Sequence, residues 1–159
     1  MKININKGMT GDVVVLNQSS FNNDVDSLHL KMTPEFQRLI RQHCSGAFDV
    51  SICALLEYGI ERIRKENLQI RVNKLDKEVS IEIDHKKSDS EAYITVNYKA
   101  SRSETRSVFV RMNKGLKGKL KEISTTNYTI SALGIIKYAI DSLKAEKLSL
   151  IVKSEAVYE

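Results

Sequence analysis

The chain has 159 residues, 42% of them hydrophobic, and carries 25 Lys and Arg against 20 Asp and Glu for a net charge of +5. That is enough apolar material for one core or two small ones, so the chain is expected to fold as an ordinary globular protein. No apolar stretch follows a basic start and no run of about 20 apolar residues occurs, so the sequence predicts neither a signal peptide nor a membrane span, and points to the cytoplasm.

The first elements are short β-like runs at Lys2–Asn6 and Asp12–Leu16, separated by a Gly-Met-Thr-Gly turn and followed by a polar linker, Asn17–Asp26. Leu28-His29-Leu30-Lys31-Met32 then alternates with period two, which predicts a strand with Leu28, Leu30 and Met32 on a core and His29 and Lys31 facing away. Thr33-Pro34-Glu35 supplies a cap, a proline suited to the first helical position and an acid in the first turn. The helix it starts keeps Phe36, Leu39, Ile40 and Cys44 on one face and is expected to stop at Gly46. Asp49 is read as the cap of a second helix, apolar nearly all round through Val50, Ile52, Cys53, Leu55, Leu56, Gly59, Ile60 and Ile63, as in a helix buried by several neighbours. Leu68–Val72 closes this part as a β-like tail.

The same order then recurs at an offset of 80 residues. Positions 27–72 align with 107–152 without a gap, and eight pairs are identical, including Tyr58/Tyr138, Ile60/Ile140 and Glu66/Glu146. Runs at Val79–Asp84 and Ala92–Tyr98 stand for the first hairpin, Lys99–Arg106 for the linker and Val108-Phe109-Val110-Arg111-Met112 for the strand. Asn113 is the cap candidate, Asn127 the stop and Thr129 the cap of the last helix, which carries Ile130, Leu133, Ile135, Ile136, Ile140 and Leu143. Gly115 and Gly118 weaken the first helix of this copy, where Lys119 replaces Leu39. A last β-like tail spans Leu148–Val152. Repeats of this kind govern the fold, so the expected organisation is residues 1–80 and 81–159 as two like units, each a β-hairpin, a strand, two helices and a terminal strand.

Charge is placed unevenly. Between Lys99 and Lys121 lie eight basic residues and a single acid, Glu104, a density over one strand and one helix that suits a polyanion better than mere solvation. Chemistry of other kinds finds little purchase. His29, His43 and His85 lack partners at metal or triad spacing, the glycines form no phosphate loop, and Cys44 and Cys53 read as reduced, buried small hydrophobes. The chain therefore reads as a non-enzyme with no cofactor and no metal.

A short strand, a three-turn helix, a tight turn and a longer apolar helix, present twice, resembles the ribbon-helix-helix DNA-binding proteins of the Arc/MetJ type over residues 27–66 and 107–146. The resemblance implies an α+β fold in which the two copies pair within one chain as a pseudo-dimer, with a two-stranded antiparallel ribbon, a four-helix core and additional short β-strands. It implies double-stranded DNA as the partner, read in the major groove by Ser27, His29 and Lys31 from one strand and Ser107, Phe109 and Arg111 from the other. It places the phosphate-binding helix starts at Val50 and Ser51 and at Thr129, Ile130 and Ser131, with Lys114, Lys117 and Lys121 around the rim. Phe109 stays open between DNA, the core and the added elements. The expected role is transcriptional regulation or the organisation of a plasmid or phage DNA site, with self-association or a protein partner through the extra strands. The alternative is a protein-interaction module that keeps the fold and binds its partner through those strands.

Overall fold

The computed structural model of the chain describes residues 6–7, 13–19, 25–45, 48–74, 82–87, 92–98, 106–124, 128–147 and 149–155. In chain order its elements are β1 (Asn6–Lys7), β2 (Val13–Ser19), β3 (Val25–Met32), α1 (Pro34–His43), β4 (Cys44–Ser45), α2 (Phe48–Lys65), β5 (Gln69–Lys74), β6 (Glu82–Lys87), β7 (Ala92–Tyr98), β8 (Arg106–Asn113), α3 (Lys114–Ile123), α4 (Tyr128–Ala145) and β9 (Ser149–Glu155). The architecture is α+β, with four helices and a two-stranded antiparallel sheet among the described residues, and two further small sheets beside them.

The period-two pattern does what an extended backbone requires of it. Leu28, Leu30 and Met32 of β3 and Val110 and Met112 of β8 are buried, while His29, Lys31, Phe109 and Arg111 are exposed. The two strands pair antiparallel, with Ser27 opposite Arg111, Leu28 opposite Val110, His29 opposite Phe109, Leu30 opposite Val108 and Lys31 opposite Ser107. The ladder is thus symmetric about His29 and Phe109, two positions that the 80-residue offset already matches.

Helix α1 starts as the sequence predicts, with the Phe36 N–H donating to Thr33 Oγ1 at 3.2 Å and Phe36 and Ile40 turned inward. Helix α3 follows Asn113 directly and buries Leu116 and Leu120, and Lys119 is exposed where α1 has the half-buried Leu39. The long helices α2 and α4 supply most of the core through Ile52, Leu55, Leu56, Ile60 and Ile63 from one and Ile135, Ile136, Ile140 and Leu143 from the other. Each such buried side chain contributes about 1.5–3 kcal/mol relative to exposure. The two helices touch closely at Gly59, where a Cβ would lie 2.6 Å from Ile135 Cγ2 and 2.9 Å from the Ile135 carbonyl oxygen. Only a residue without a side chain fits that crossing. Both helices end on a left-handed residue, Asn67 at φ 54° and Lys147 at φ 56°, and the Leu68 N–H closes the first of these ends on the Ile63 carbonyl at 3.0 Å.

Several boundaries differ from expectation. Helices α2 and α4 begin at Phe48 and Tyr128, so Asp49 and Thr129 lie in the first turn and are not the caps. The reason is packing. Arg41 of α1 lies over the Phe48 ring at 4.9 Å and Lys121 of α3 over the Tyr128 ring at 5.3 Å, which pins each aromatic residue into its helix. The expected linkers are shorter than read, because the ladder of β2 reaches Ser19, that of β3 reaches back to Val25 and Arg106 pairs with Met32. The second hairpin is shifted as well: its first strand is Glu82–Lys87, where the sequence suggested Val79–Asp84. The stops expected at Gly46 and Asn127, the runs from Lys2 to Ile5 and from Val79 to Ile81, and Leu148 lie outside the described residues.

The flanking sheets cross-pair in a way that periodicity cannot announce. Strand β9 runs parallel to β2 from Val13/Ser149 to Ser19/Glu155, with β1 on the far side of β2 and β4 on the far side of β9. In the other sheet β7 lies between β6, antiparallel, and β5, parallel. The last strand of each stretch thus completes the hairpin belonging to the other. No described helix is long and apolar enough to cross a membrane.

Candidate nucleic-acid interface

Pleating sends alternate side chains of β3 and β8 to opposite faces, so the face away from the core is composed of Ser27, His29 and Lys31 beside Ser107, Phe109 and Arg111, all exposed. The register arranges them in three rows: Ser27 with Arg111, His29 with Phe109, and Lys31 with Ser107. Arg106 is exposed at the start of β8 but lies opposite Met32, with the pleat parity of the core side. The outward residues include two permanent cations, Lys31 and Arg111, and no carboxylate. Each outer row couples one long basic side chain with one serine, a donor set able to address guanine O6 and N7 or a phosphate.

The central row is aromatic. The His29 and Phe109 rings are stacked, with centroids 4.4 Å apart and planes 9° from parallel, and Phe109 remains 70% exposed. Phe109 therefore faces outward and is not folded into the core.

The first turn of α4 borders this face. Ser27, His29 and Lys31 share a cleft of about 480 Å³ with Tyr128, Thr129, Ile130 and Leu133. The dipole of α4 gives that wall a positive character. The side chains of Ser51 and Ser131 are buried at 2% and 1% exposure, so their hydroxyls are not presented to an anion. At the matching end of α2, Asp49 brings a carboxylate into the first turn.

The basic rim is not uniform. Lys114 and Lys121 are exposed, but Lys117 donates to the Ser27 carbonyl at 2.9 Å and pairs with Asp26 at 3.2 Å. Asp26 is held below the usual carboxylate range by the Ser27 N–H at 2.8 Å and then by Lys117. Lys117 thus fastens α3 to the edge of the ribbon. Beneath the ribbon, the Cys53 thiol donates to the Arg111 carbonyl at 3.2 Å, and burial pushes its pKa up to about 12, so it remains a thiol.

No family model, no curated protein and no solved structure matches the chain.

Tyr128 borders this surface and was not singled out from the sequence, although it matches Phe48 at the 80-residue offset. A second group was missed at the far ends of α2 and α4, where Arg62 bonds Glu146 and Tyr58 and pairs with Glu66 at 3.4 Å, while Tyr138 donates to Glu66 at 2.7 Å. Burial and then the Glu66 hydrogen bond push the Tyr138 phenol up to about 12. Tyr58/Tyr138 and Glu66/Glu146 are four of the residues identical between the copies, and here they join the two long helices. Among the described residues, no three His, Cys, Asp or Glu side chains are grouped so as to hold a metal ion.

Proposed function

We propose that this chain binds double-stranded DNA by laying the β3–β8 ribbon in a major groove, its two halves acting as the two subunits of a ribbon-helix-helix dimer joined in one polypeptide. The observation that carries this reading is the outward ribbon face, which holds Lys31 and Arg111 with no acid and lies against the start of α4. A two-stranded ribbon is narrow enough to enter a major groove about 12 Å wide. The symmetric register about His29 and Phe109, the equal lengths of α1 and α3 and of α2 and α4, and the cation-over-ring contact at both helix starts support a duplicated, intramolecular pseudo-dimer. Regulation of transcription or organisation of a DNA site in the cytoplasm is the corresponding role.

The test is selection of bound duplexes from a random pool, followed by affinity measurement over a range of salt. Enrichment of one sequence and a steep fall of affinity with salt are expected. A chain that retains no duplex at low salt would sink this reading and favour the protein-interaction alternative through the flanking strands.

A further inference from the structure

The three rows of the ribbon face are not equally symmetric. Exchanging the strands turns the Ser27–Arg111 row into a row of the same kind as Lys31–Ser107, a serine beside a long cation, but it turns the central row from imidazole–phenyl into phenyl–imidazole. Chemical asymmetry at the ribbon face is therefore concentrated on its central pair. That pair is also the apolar exception of the surface. Phe109 is the exposed large hydrophobic side chain of the described residues, and stacking on His29 shields one ring face only. A cross-strand pair of this kind stabilises a ribbon by roughly 0.2–1 kcal/mol. Full burial of a phenylalanine is worth about 1.5–3 kcal/mol, so the arrangement leaves apolar contact unused.

Resting on the DNA reading above, we infer that the His29–Phe109 stack reads a single A·T base pair at the centre of the target, with Phe109 packed on the thymine methyl and the His29 ring bonded to the adenine edge. An A·T pair is the natural pair that presents a methyl group and a purine N7 acceptor together in the major groove, whereas G·C offers no methyl. The outer rows meet their bases as like with like, so the flanks of the site are near-palindromic, and the orientation of the central pair gives the site its direction. The chain thus recognises a nearly symmetric site with one direction-giving pair, which a homodimer with two identical central residues has no means to specify.

The experiment uses the full chain and the duplex it selects from a random pool. Deoxyuridine is placed at each thymine in turn, removing one methyl and nothing else, and the central pair is also replaced by G·C and by G·5-methylcytosine. The expected result is a loss of about fourfold at one central thymine, a comparable deficit for G·C relative to G·5-methylcytosine, and disappearance of both differences in Phe109→Ala. Melting curves of Phe109→Ala establish that it is folded, and the base-analogue series with the unaltered chain stands whether or not it is. Affinity indifferent to every thymine methyl, a sensitive thymine only in the flanks, or an unchanged methyl effect in Phe109→Ala would overturn the inference and leave the DNA reading standing. Failure to enrich any duplex would overturn that reading itself.

Discussion

The starts of α2 and α4 are built alike and charged differently. Around α4 stand Lys117, Lys121, Tyr128 and Thr129, and the positions 80 residues earlier are Gln37, Arg41, Phe48 and Asp49. Both keep a cation over an aromatic ring, yet one has an additional lysine and the other an additional carboxylate. Deeper in, the pairs Ile60/Ile140, Tyr58/Tyr138 and Ser51/Ser131 are identical and buried. An interior shared by two halves constrains both at once, because a change of volume on one side is felt on the other. The rim has no such partner and is free to specialise, and here the two rims differ in charge.

The largest effect should come from breaking the shared interior. Gly59→Val would push a branched side chain into Ile135 at the helix crossing, and overpacking there should cost about 3 kcal/mol, measured by denaturant unfolding. The reciprocal position tolerates more: Ala139→Gly should cost only about 1 kcal/mol. Equal losses would mean that α2 and α4 do not meet at Gly59.

Next is the contrast between reading and anchoring. Arg111→Ala should lose about 1–3 kcal/mol at the selected site and little on random duplex, and Lys31→Ala should show the same contrast between the two duplexes. Lys121→Ala should weaken both duplexes alike and lower the salt slope by about one. An Arg111→Ala variant that loses equally on both DNAs would not support base reading by that residue.

The rim difference can also be erased. Asp49→Thr gives α2 the residue that α4 has, and affinity should rise by about 0.5–1 kcal/mol in titrations at low salt, with the gain fading as salt is raised. No gain at low salt would mean that the start of α2 stays clear of the phosphates.

The smallest effects test where the second half is built less well than the first. Gly118, where the first half has Arg38, has nothing within 4 Å of an added Cβ, so Gly118→Ala should stabilise by about 0.5–1 kcal/mol. Lys147→Asn, which copies Asn67 at the left-handed helix end, should add about 0.5 kcal/mol. Thermal melting resolves both, and a destabilised Gly118→Ala would mean that the α3 surface is covered.

What could be read from the sequence was whatever repeats over a few residues. Leu28, Leu30 and Met32 announced their strand because period two has no other use, and Thr33-Pro34 announced its helix because few other residues fit those positions. The starts of α2 and α4 were misplaced because Asp49 and Thr129 look like caps, while the residues that fix the first turn, Arg41 and Lys121, belong to the preceding helices. Lys117 read as a free cation because Asp26, its partner, is remote in sequence. The face-to-face meeting of His29 and Phe109 was within reach, since antiparallel strands related by a two-fold must bring one matched pair together at their centre. Which strands exchange between the flanking sheets was not, because alternation marks a strand without naming its neighbour.

Those exchanged strands bear on how the protein comes to be made. Val13 finds its ladder partner in Ser149, and β3 has no mate until β8 exists. Long-range closures of this kind slow folding. At about 5–20 residues per second, a ribosome needs roughly 4–16 s to supply residues 81–159. Throughout that interval Leu28, Leu30, Met32 and the apolar faces of α2 lack their cover. Residues 1–80 expressed alone should therefore aggregate, and the intact chain should depend on whatever shields nascent apolar surface until its second half arrives.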